Sequence, residues 1–291
     1  MRGLAFPEIH HVLLQDPEQT AIKERRLSSR FGFDADKSLP LEENIQWAAE
    51  NGFEYIDFQA DLEPNSIASF DDARVDRIRS LCETTGVRLG IHPSSAINHA
   101  EIVPIVAEAV EEYMEANVAL AERLGCGWFV AHGGYHFGDI EKRRPVVVDR
   151  IRRLIERTTR AGMEVYFENH NREPELSEMH YLPHNVAETR WFLDEIEAPN
   201  FKWAFNVAHG NLVPEGWAGF LEAFGAGNIG QVRVNDNNGD YEIHLVPGEG
   251  NIDFEALFTD LRNRGYQGWF NLGFGTFDDK ARIQDRFEHL L

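Results

Sequence analysis

Polar side chains that could bind or activate a small molecule stand directly after short apolar runs along this chain. The runs VRLGIH, WFVAH and EVYFEN end in a histidine or in a carboxylate followed by an amide, and FKWAFN and QVRVND end similarly. An apolar run closed by a polar residue and followed by a helical pattern is typical of a strand whose carboxyl end faces a site. The candidates are His92, His132, Glu168, Asn169, Asn206, His209, Arg233, Asp236 and His244.

The repetition of these strand ends indicates one shared site. A single histidine at a strand end is more often a satisfied core residue, but six such ends in register are hard to explain by packing. Asp57 ends another predicted strand and either reaches the site or caps a loop. His170 follows Glu168 closely enough to touch a ligand, or it lies in a surface loop or lid.

Eight strand-and-helix units would position these side chains. The apolar runs predict strands at residues 26–33, 53–60, 87–92, 126–132, 163–169, 201–206, 229–235 and 268–274. Alternating strands and helices in this number predict an α/β fold, a single (β/α)₈ TIM barrel with its site at the carboxyl ends of the strands. Residues 1–25 have no clear period and are predicted to be a short N-terminal extension of a barrel at 26–291.

Composition restricts the possible partners. The 291 residues carry a formal charge of −21, with 49 acidic and 28 basic side chains. A protein of this charge would repel nucleic acids and anionic membranes, so we expect a small-molecule partner, with a homo-oligomer left open. No apolar stretch reaches the ~18 residues of a membrane span, and the first residues lack the layout of a signal peptide. We therefore expect a cytoplasmic protein in which Cys82 and Cys126 are free thiols.

Several motifs resemble those of a known family. INHAE, AHGG, FENH and FNVAH follow the third to sixth predicted strands, and HLVPGEGNIDF precedes the last helix and strand. In this order and spacing the chain resembles the xylose isomerase-like TIM-barrel superfamily from about residue 26 to 275. That superfamily includes sugar isomerases and epimerases, inosose-type dehydratases and endonuclease IV-like enzymes. The resemblance implies the barrel fold and chemistry on a sugar or a phosphoester.

The resemblance also implies a divalent metal, but the matching ligands are mostly absent. A sugar isomerase of this family holds the cation with Glu, Asp, His and Glu on strands five to eight. The corresponding residues here are Glu168, Asn206, Arg233 and Gly273. Because a guanidinium cannot ligate a cation, this four-ligand site is expected to be lost, with Arg233 in the position of the metal.

A second implied arrangement keeps more ligands. The endonuclease IV-like pattern places zinc between His92, His132 and Glu168, and between His209 and His244 with Glu242 nearby. Two histidines and a glutamate form a normal catalytic zinc set. One divalent metal, zinc or manganese, is therefore possible at these residues. The alternative is that the histidines bind substrate hydroxyls or one another.

Three hypotheses of function follow, and we favour the first. It is an enzyme that isomerises, epimerises or dehydrates a small polyol, keto-sugar or sugar acid by removing a proton next to a carbonyl. Glu168, His132 and Arg233 would be catalytic; the substrate-binding residues would be Asn169, Asn206, His209, Asp236 and His244. The second is a zinc-dependent hydrolase of a small phosphoester. The third is a sugar-binding barrel without catalysis. In a metal analysis, zinc near one equivalent would support hydrolysis or Lewis-acid chemistry, and no metal would leave an Arg233-based mechanism or the non-catalytic barrel.

Overall fold

A closed barrel of eight parallel strands forms the centre of the computed structural model, which describes residues 30–291. The strands are β1 Phe31–Asp34, β2 Tyr55–Phe58, β3 Arg88–Ile91, β4 Trp128–Ala131, β5 Glu164–Glu168, β6 Phe201–Asn206, β7 Ile229–Val234 and β8 Trp269–Leu272. Each strand pairs with its neighbours in sequence, and β8 closes the barrel onto β1. This confirms the predicted (β/α)₈ fold.

Strand boundaries differ from the predicted ones, including that of β1. This strand spans Phe31–Asp34 and so ends one residue later than predicted, while residues 26–29 of the predicted strand lie outside the described residues. That single residue matters because the last side chain of a barrel strand faces the site. The predicted extension at residues 1–25 and its boundary with the barrel lie outside the described residues.

Helices surround the barrel and connect successive strands. Within residues 30–291 they are α1 Leu41–Asn51, α2 Asp72–Thr85, α3 Pro104–Leu124, α4 Ile140–Arg160, α5 Val186–Glu195, α6 Val207–Asn211, α7 Gly216–Phe224, α8 Phe254–Asn263 and α9 Phe277–Phe287. α1 ends at Gly52 as predicted, because its φ of 75° is the left-handed conformation that favours glycine. α9 follows β8 and is an addition to the predicted elements. In the described part of the chain, no helix is long and apolar enough to cross a membrane.

Alternation along the strands separates two apolar layers. Phe33 and Ile56 face outward and belong to the main core between barrel and helices. Residues of the opposite parity face inward, where Trp128, Tyr166 and Trp269 form a second cluster. These large rings fill the barrel interior below the carboxyl ends, so a ligand can enter only from the carboxyl face.

Two loops at the carboxyl face are joined by a small antiparallel sheet. The strand Tyr135–His136, after β4, pairs with His180–Tyr181, after β5. Gly133 makes the close approach possible, since a Cβ there would lie 2.2 Å from the carbonyl oxygen of Leu182. The two loops therefore form one side of the cavity described next.

Candidate active site

A single cavity of about 640 Å³ brings most of the predicted residues together at the carboxyl ends of the strands. This volume lies in the range of small-molecule sites. The predicted residues that line it are His92, His132, Glu168, Asn206, His209, Arg233 and His244. Their convergence is therefore confirmed by the structure, while their roles in binding and catalysis stay predictions.

Arg233 lies at the bottom of the cavity and is 3% exposed. Its Nη1 donates to Asp57 Oδ2 at 2.7 Å and to Gln231 Oε1 at 3.3 Å. Nη2 donates to Asp34 Oδ2 at 2.6 Å, and Nε lies 3.2 Å from Glu168 Oε2. Three carboxylates thus hold one guanidinium from three sides. We call Arg233, Asp34, Asp57 and Glu168 the carboxylate floor.

The three carboxylates of the floor differ in pKa, and burial raises the pKa of Asp57 to about 7 against the opposing charge of Arg233. Burial alone would raise the pKa of Asp34, but the charge of Arg233 and contact with His92 outweigh it and lower that pKa to about 2. Burial is likewise outweighed at Glu168, where Arg233 and His132 hold the pKa well below its ordinary value. Both Nη atoms of Arg233 donate to protein acceptors, and Nε lies beside Glu168 without a hydrogen bond among the described residues. The geometry therefore favours a positioning role for Arg233 over the predicted catalytic one.

Asp57 neither caps a loop nor lines the cavity. Its carboxylate is 1% exposed beneath Arg233 and accepts hydrogen bonds from Trp128 Nε1 at 2.5 Å and from Asn271 Nδ2 at 3.0 Å. It joins the aromatic interior of the barrel to the floor of the cavity. Both interpretations offered for Asp57 from the sequence are thus replaced by this structural one.

Glu168 is the floor carboxylate at the end of β5. Its Oε1 accepts a hydrogen bond from Asn206 Nδ2 at 2.9 Å, which fixes the carboxyl plane. Its Oε2 is buried and accepts no hydrogen bond within the described residues, although Arg233 lies beside it. A buried oxygen left without a hydrogen bond is uncommon in folded proteins and often marks a functional site.

Four imidazoles lie beside the carboxylate floor, and we call them the histidine wall: His92, His132, His170 and His209. Nε2 of His92 and Nε2 of His132 lie 3.1 Å apart. His170 stacks on Tyr181, with 4.4 Å between ring centroids, and its Nε2 has no hydrogen-bond partner in the described structure. The ligand-contact interpretation of His170 is therefore favoured over a surface position.

His209 is oriented by the segment that follows β6. Asn206 caps the short helix α6 through its side chain, which accepts from the His209 backbone at 3.2 Å. Nδ1 of His209 donates to the Asn169 carbonyl at 2.7 Å, and this bond leaves Nε2 as the proton-accepting atom. Glu242 Oε2 lies 3.7 Å from that Nε2.

The histidine wall is largely neutral. Burial lowers the pKa of His132 and of His209, and it lowers that of His170 strongly. An imidazole with a lowered pKa is unprotonated at neutral pH and can accept a proton or a metal. The two sides of the cavity therefore differ in charge, with ionised groups on the floor and neutral bases on the wall.

One predicted metal set has suitable spacing. Nε2 of His92 and Nε2 of His132 lie 3.7 and 3.5 Å from Glu168 Oε2. Ligand atoms at about 2.0–2.2 Å from a tetrahedral zinc are about 3.3–3.5 Å apart. The set and its spacing, together with the oxygen of Glu168 that lacks a hydrogen bond, fit one zinc ion. The nearby guanidinium of Arg233 would oppose that charge.

The second predicted metal set is not assembled. Within the described residues, His209 and His244 belong to no group whose ligand atoms converge. Glu242 lies between them, with Oε1 3.1 Å from His244 Nδ1 and Oε2 3.7 Å from His209 Nε2. His244 instead stacks on Phe274 at the edge of the cavity, with 3.9 Å between ring centroids. The prediction of His209 and His244 as a shared metal site is corrected accordingly.

Two predicted substrate-binding residues lie away from the cavity. The Asn169 side chain is fully buried, where it accepts from Trp203 Nε1 at 3.1 Å and from the Asn206 backbone at 2.9 Å. The Asp236 carboxylate accepts from the backbone of Gly248 and of Gly250 at 2.9 and 2.8 Å. Both side chains hold loops in place, so the prediction that they contact substrate is corrected.

Several cavity residues were absent from the prediction, and two of them are charged and largely buried from solvent, Asp34 and Lys280. Asp34 follows FGF at the end of β1, the same signal that identified the other strand ends, but the predicted strand stopped before it. Lys280 lies on the buried side of α9, with Ile283 and Phe287. A charged residue within an apolar helical stripe is the signal that could have identified it.

The sequence belongs to the xylose isomerase-like TIM barrel family, whose profile matches residues 45–290. The 3-dehydro-D-guloside 4-epimerase of Escherichia coli (strain K12) is 29% identical over 142 residues, which are 49% of this chain and 48% of that protein. The chain spans about half or less of the length of the curated relatives it matches.

Solved structures with similar folds cover nearly the whole chain. A D-tagatose 3-epimerase-like protein superposes with a TM-score of 0.77 at 20% identity, over 89% of this chain and 96% of that one. A 3-keto-D-glucoside 4-epimerase from E. coli superposes with a TM-score of 0.69 at 19% identity, over 90% and 99% of the two chains. At these identities the likeness establishes the fold.

Proposed function

We propose that this protein epimerises or isomerises a small keto-sugar by removing a proton from the carbon next to the carbonyl. The observation that carries the proposal is Glu168: an ionised carboxylate at the bottom of a sugar-sized cavity, with Oε1 fixed by Asn206 and Oε2 without a hydrogen bond. The epimerase names of the relatives support the substrate class.

Glu168 accepts the proton in this mechanism. Its low pKa keeps it in the proton-accepting form, and Asn206 and Arg233 fix its orientation. His209, neutral and with Nε2 available, exchanges protons with the substrate hydroxyls. A metal bound by His92, His132 and Glu168 would supply Lewis-acid polarisation of an oxygen.

Solvent exchange tests this function without knowledge of the product. The purified protein is incubated in D₂O with D-tagatose, D-psicose, D-fructose, L-ribulose and a methyl 3-keto-D-glucoside, and deuterium at the carbon next to the carbonyl is followed by ¹H NMR. We expect incorporation into at least one sugar. Glu168→Gln should lower the rate by about 10²–10⁴-fold. Glu164→Gln, at the other end of the same strand and bonded to Tyr166, is the matched control.

Binding of one of these sugars without deuterium incorporation would instead identify a sugar-binding barrel. Equal rates for wild type and Glu168→Gln would overturn the assignment of the base while leaving the reaction class in place.

A second function is favoured by one observation, the zinc-compatible spacing of His92, His132 and Glu168. It is hydrolysis of a small phosphoester by a zinc-bound water. Metal content of the purified protein and its activity on p-nitrophenyl phosphate test it. Zinc near one equivalent, with hydrolysis that is lost in His132→Gln and no sugar exchange, would replace the first proposal by this one.

A further inference from the structure

Lys280 is a buried cation that the mechanism above does not use. Its side chain lines the cavity from the first turn of α9, above the junction of β8 and β1, and the residue is only 4% exposed. The chain has five lysines, and the other cavity-lining lysine, Lys37, is exposed to solvent. A buried ammonium needs partners for its charge and its three N–H groups.

The protein supplies Lys280 with few partners. Nζ donates one hydrogen bond, to the Gly275 carbonyl at 2.6 Å. The rings of Phe33 and Phe277 lie 5.7 and 6.0 Å away. Among the described residues, no carboxylate lies within the 4 Å of an ion pair. Two of the three N–H groups therefore have no protein acceptor in this part of the chain.

Arg233 shows the opposite arrangement in the same cavity. Its nitrogens face Asp34, Asp57 and Glu168, so little of its positive charge is available to a ligand. Proton removal next to a carbonyl places negative charge on the carbonyl oxygen, and this charge needs a donor that is not already engaged. Within residues 30–291, Lys280 has two N–H groups without a protein acceptor and no carboxylate in ion-pair range, whereas Arg233 is held by three carboxylates and only its Nε lacks a hydrogen bond.

We infer that Lys280 binds the carbonyl oxygen of the substrate and stabilises the enediolate that forms when Glu168 takes the proton. The inference rests on the proposed function. The C–H electron pair becomes the C=C bond, the carbonyl π pair moves to oxygen, and the Lys280 ammonium donates a charge-assisted hydrogen bond to that oxygen while keeping its proton. β1 and β8, which adjoin Lys280, lie across the barrel from β5, which carries Glu168. The substrate would therefore lie between the two groups.

The test compares kcat and KM on the sugar that exchanges fastest with wild-type protein in D₂O. Lys280→Met removes the charge and keeps the length of the side chain, and loss of one oxyanion donor typically lowers kcat by about 10²–10³-fold. We expect that loss with little change in KM, and recovery of at least about tenfold in Lys280→Arg. Lys142→Met, on the exposed outer side of α4, is the control and should match wild type.

Several outcomes would overturn the inference. A raised KM with unchanged kcat would make Lys280 a ground-state binder of a hydroxyl, and unchanged values of both would exclude a role. Either result, with wild-type exchange intact, leaves the proposed function standing. Absence of exchange in wild-type protein would remove both proposals. If circular dichroism shows that Lys280→Met is unfolded, Lys280→Gln, which keeps a polar side chain without the charge, decides in its place.

Discussion

The carboxylate floor and the histidine wall solve the same problem of burial in opposite ways. On the floor, the charge of Arg233 lowers the pKa of Asp34 and of Glu168 and keeps both carboxylates ionised, while burial raises the pKa of Asp57 to about 7. On the wall, burial lowers the pKa of His132, His170 and His209 and removes their charge. Pairing fixes the protonation state, whereas neutrality leaves a lone pair that can take up a proton or a metal.

This difference assigns different tasks to the two sides. The floor sets the geometry and the electrostatic field around Glu168, and its Asp34, with a pKa of about 2, stays ionised near neutrality. Proton exchange with solvent falls to the wall, where His170 and His209 line the cavity. Lys280 belongs to neither side, because it is charged and has no ion-pair partner among the described residues.

Removal of Arg233 should have the largest effect on stability. Arg233→Met leaves three buried carboxylates without their counter-charge, and breaking a buried ion pair in this way typically costs about 3–5 kcal/mol. Urea unfolding at pH 7 measures the loss, with Arg160→Met on the exposed surface as the control, expected within about 0.5 kcal/mol of wild type. A loss below about 1 kcal/mol would show that the floor is not held by pairing.

Acidification should lower the free energy of unfolding, because buried neutral imidazoles resist protonation. His99, which contacts His132 of the histidine wall, is the residue at which this effect is clearest. His99 is 1% exposed, contacts the His132 carbonyl through Nδ1 at 2.6 Å, and burial lowers its pKa from 6.5 to about 4. The unfolded chain binds the proton more tightly. The stability from this group is therefore complete above pH 6.5 and is lost as the pH falls towards 4.

The expected loss from His99 is about 2 kcal/mol between pH 7 and pH 5, since one pKa unit corresponds to about 1.4 kcal/mol. Urea unfolding at both pH values measures it in wild type and in His99→Gln, which cannot take up this proton. The free energy of unfolding should fall by that much more in wild type than in the variant. Equal changes in the two proteins would mean that His99 is protonated in the folded state.

Lys280→Met should have the smallest effect on stability, within about 1 kcal/mol in either direction. The variant loses the hydrogen bond to Gly275 but also removes a buried charge that has no ion pair in the described structure, and these contributions oppose each other. The same urea measurement serves as the check. A loss close to that of Arg233→Met would show that Lys280 has an ion-pair partner. The two cations would then not differ in how the protein holds them.

The fold and most of the cavity could be predicted because they depend on strand ends. Apolar runs give the strands, and parallel strands in a barrel bring their last residues together, which places His92, Glu168 and Arg233 in one cavity. The groups that each side chain contacts depend on strand register and on loop conformation. Neither can be inferred from residue type. The three-way contact of Arg233 with carboxylates from β1, β2 and β5 is of this second kind.

Strand alternation could have corrected one of the errors. Glu168 and Asn169 are consecutive, so an extended chain directs their side chains to opposite sides and only one faces the cavity. Asp236 offers no such clue, because its bonds to the backbone of Gly248 and Gly250 depend on the fold of a long loop. Lys280 is harder still, since the position of α9 over the cavity is set by packing against the barrel.

The small sheet between Tyr135–His136 and His180–Tyr181 joins the loops after β4 and β5. A change of substrate specificity therefore has to involve both loops. Replacing one loop alone would leave its partner strand unpaired and would disturb the close approach of Gly133 to Leu182. It would also remove the ring on which His170 stacks, because Tyr181 belongs to the same sheet. Loops usually diverge independently on barrels, but here new substrate preferences have to be introduced by exchanging both loops together.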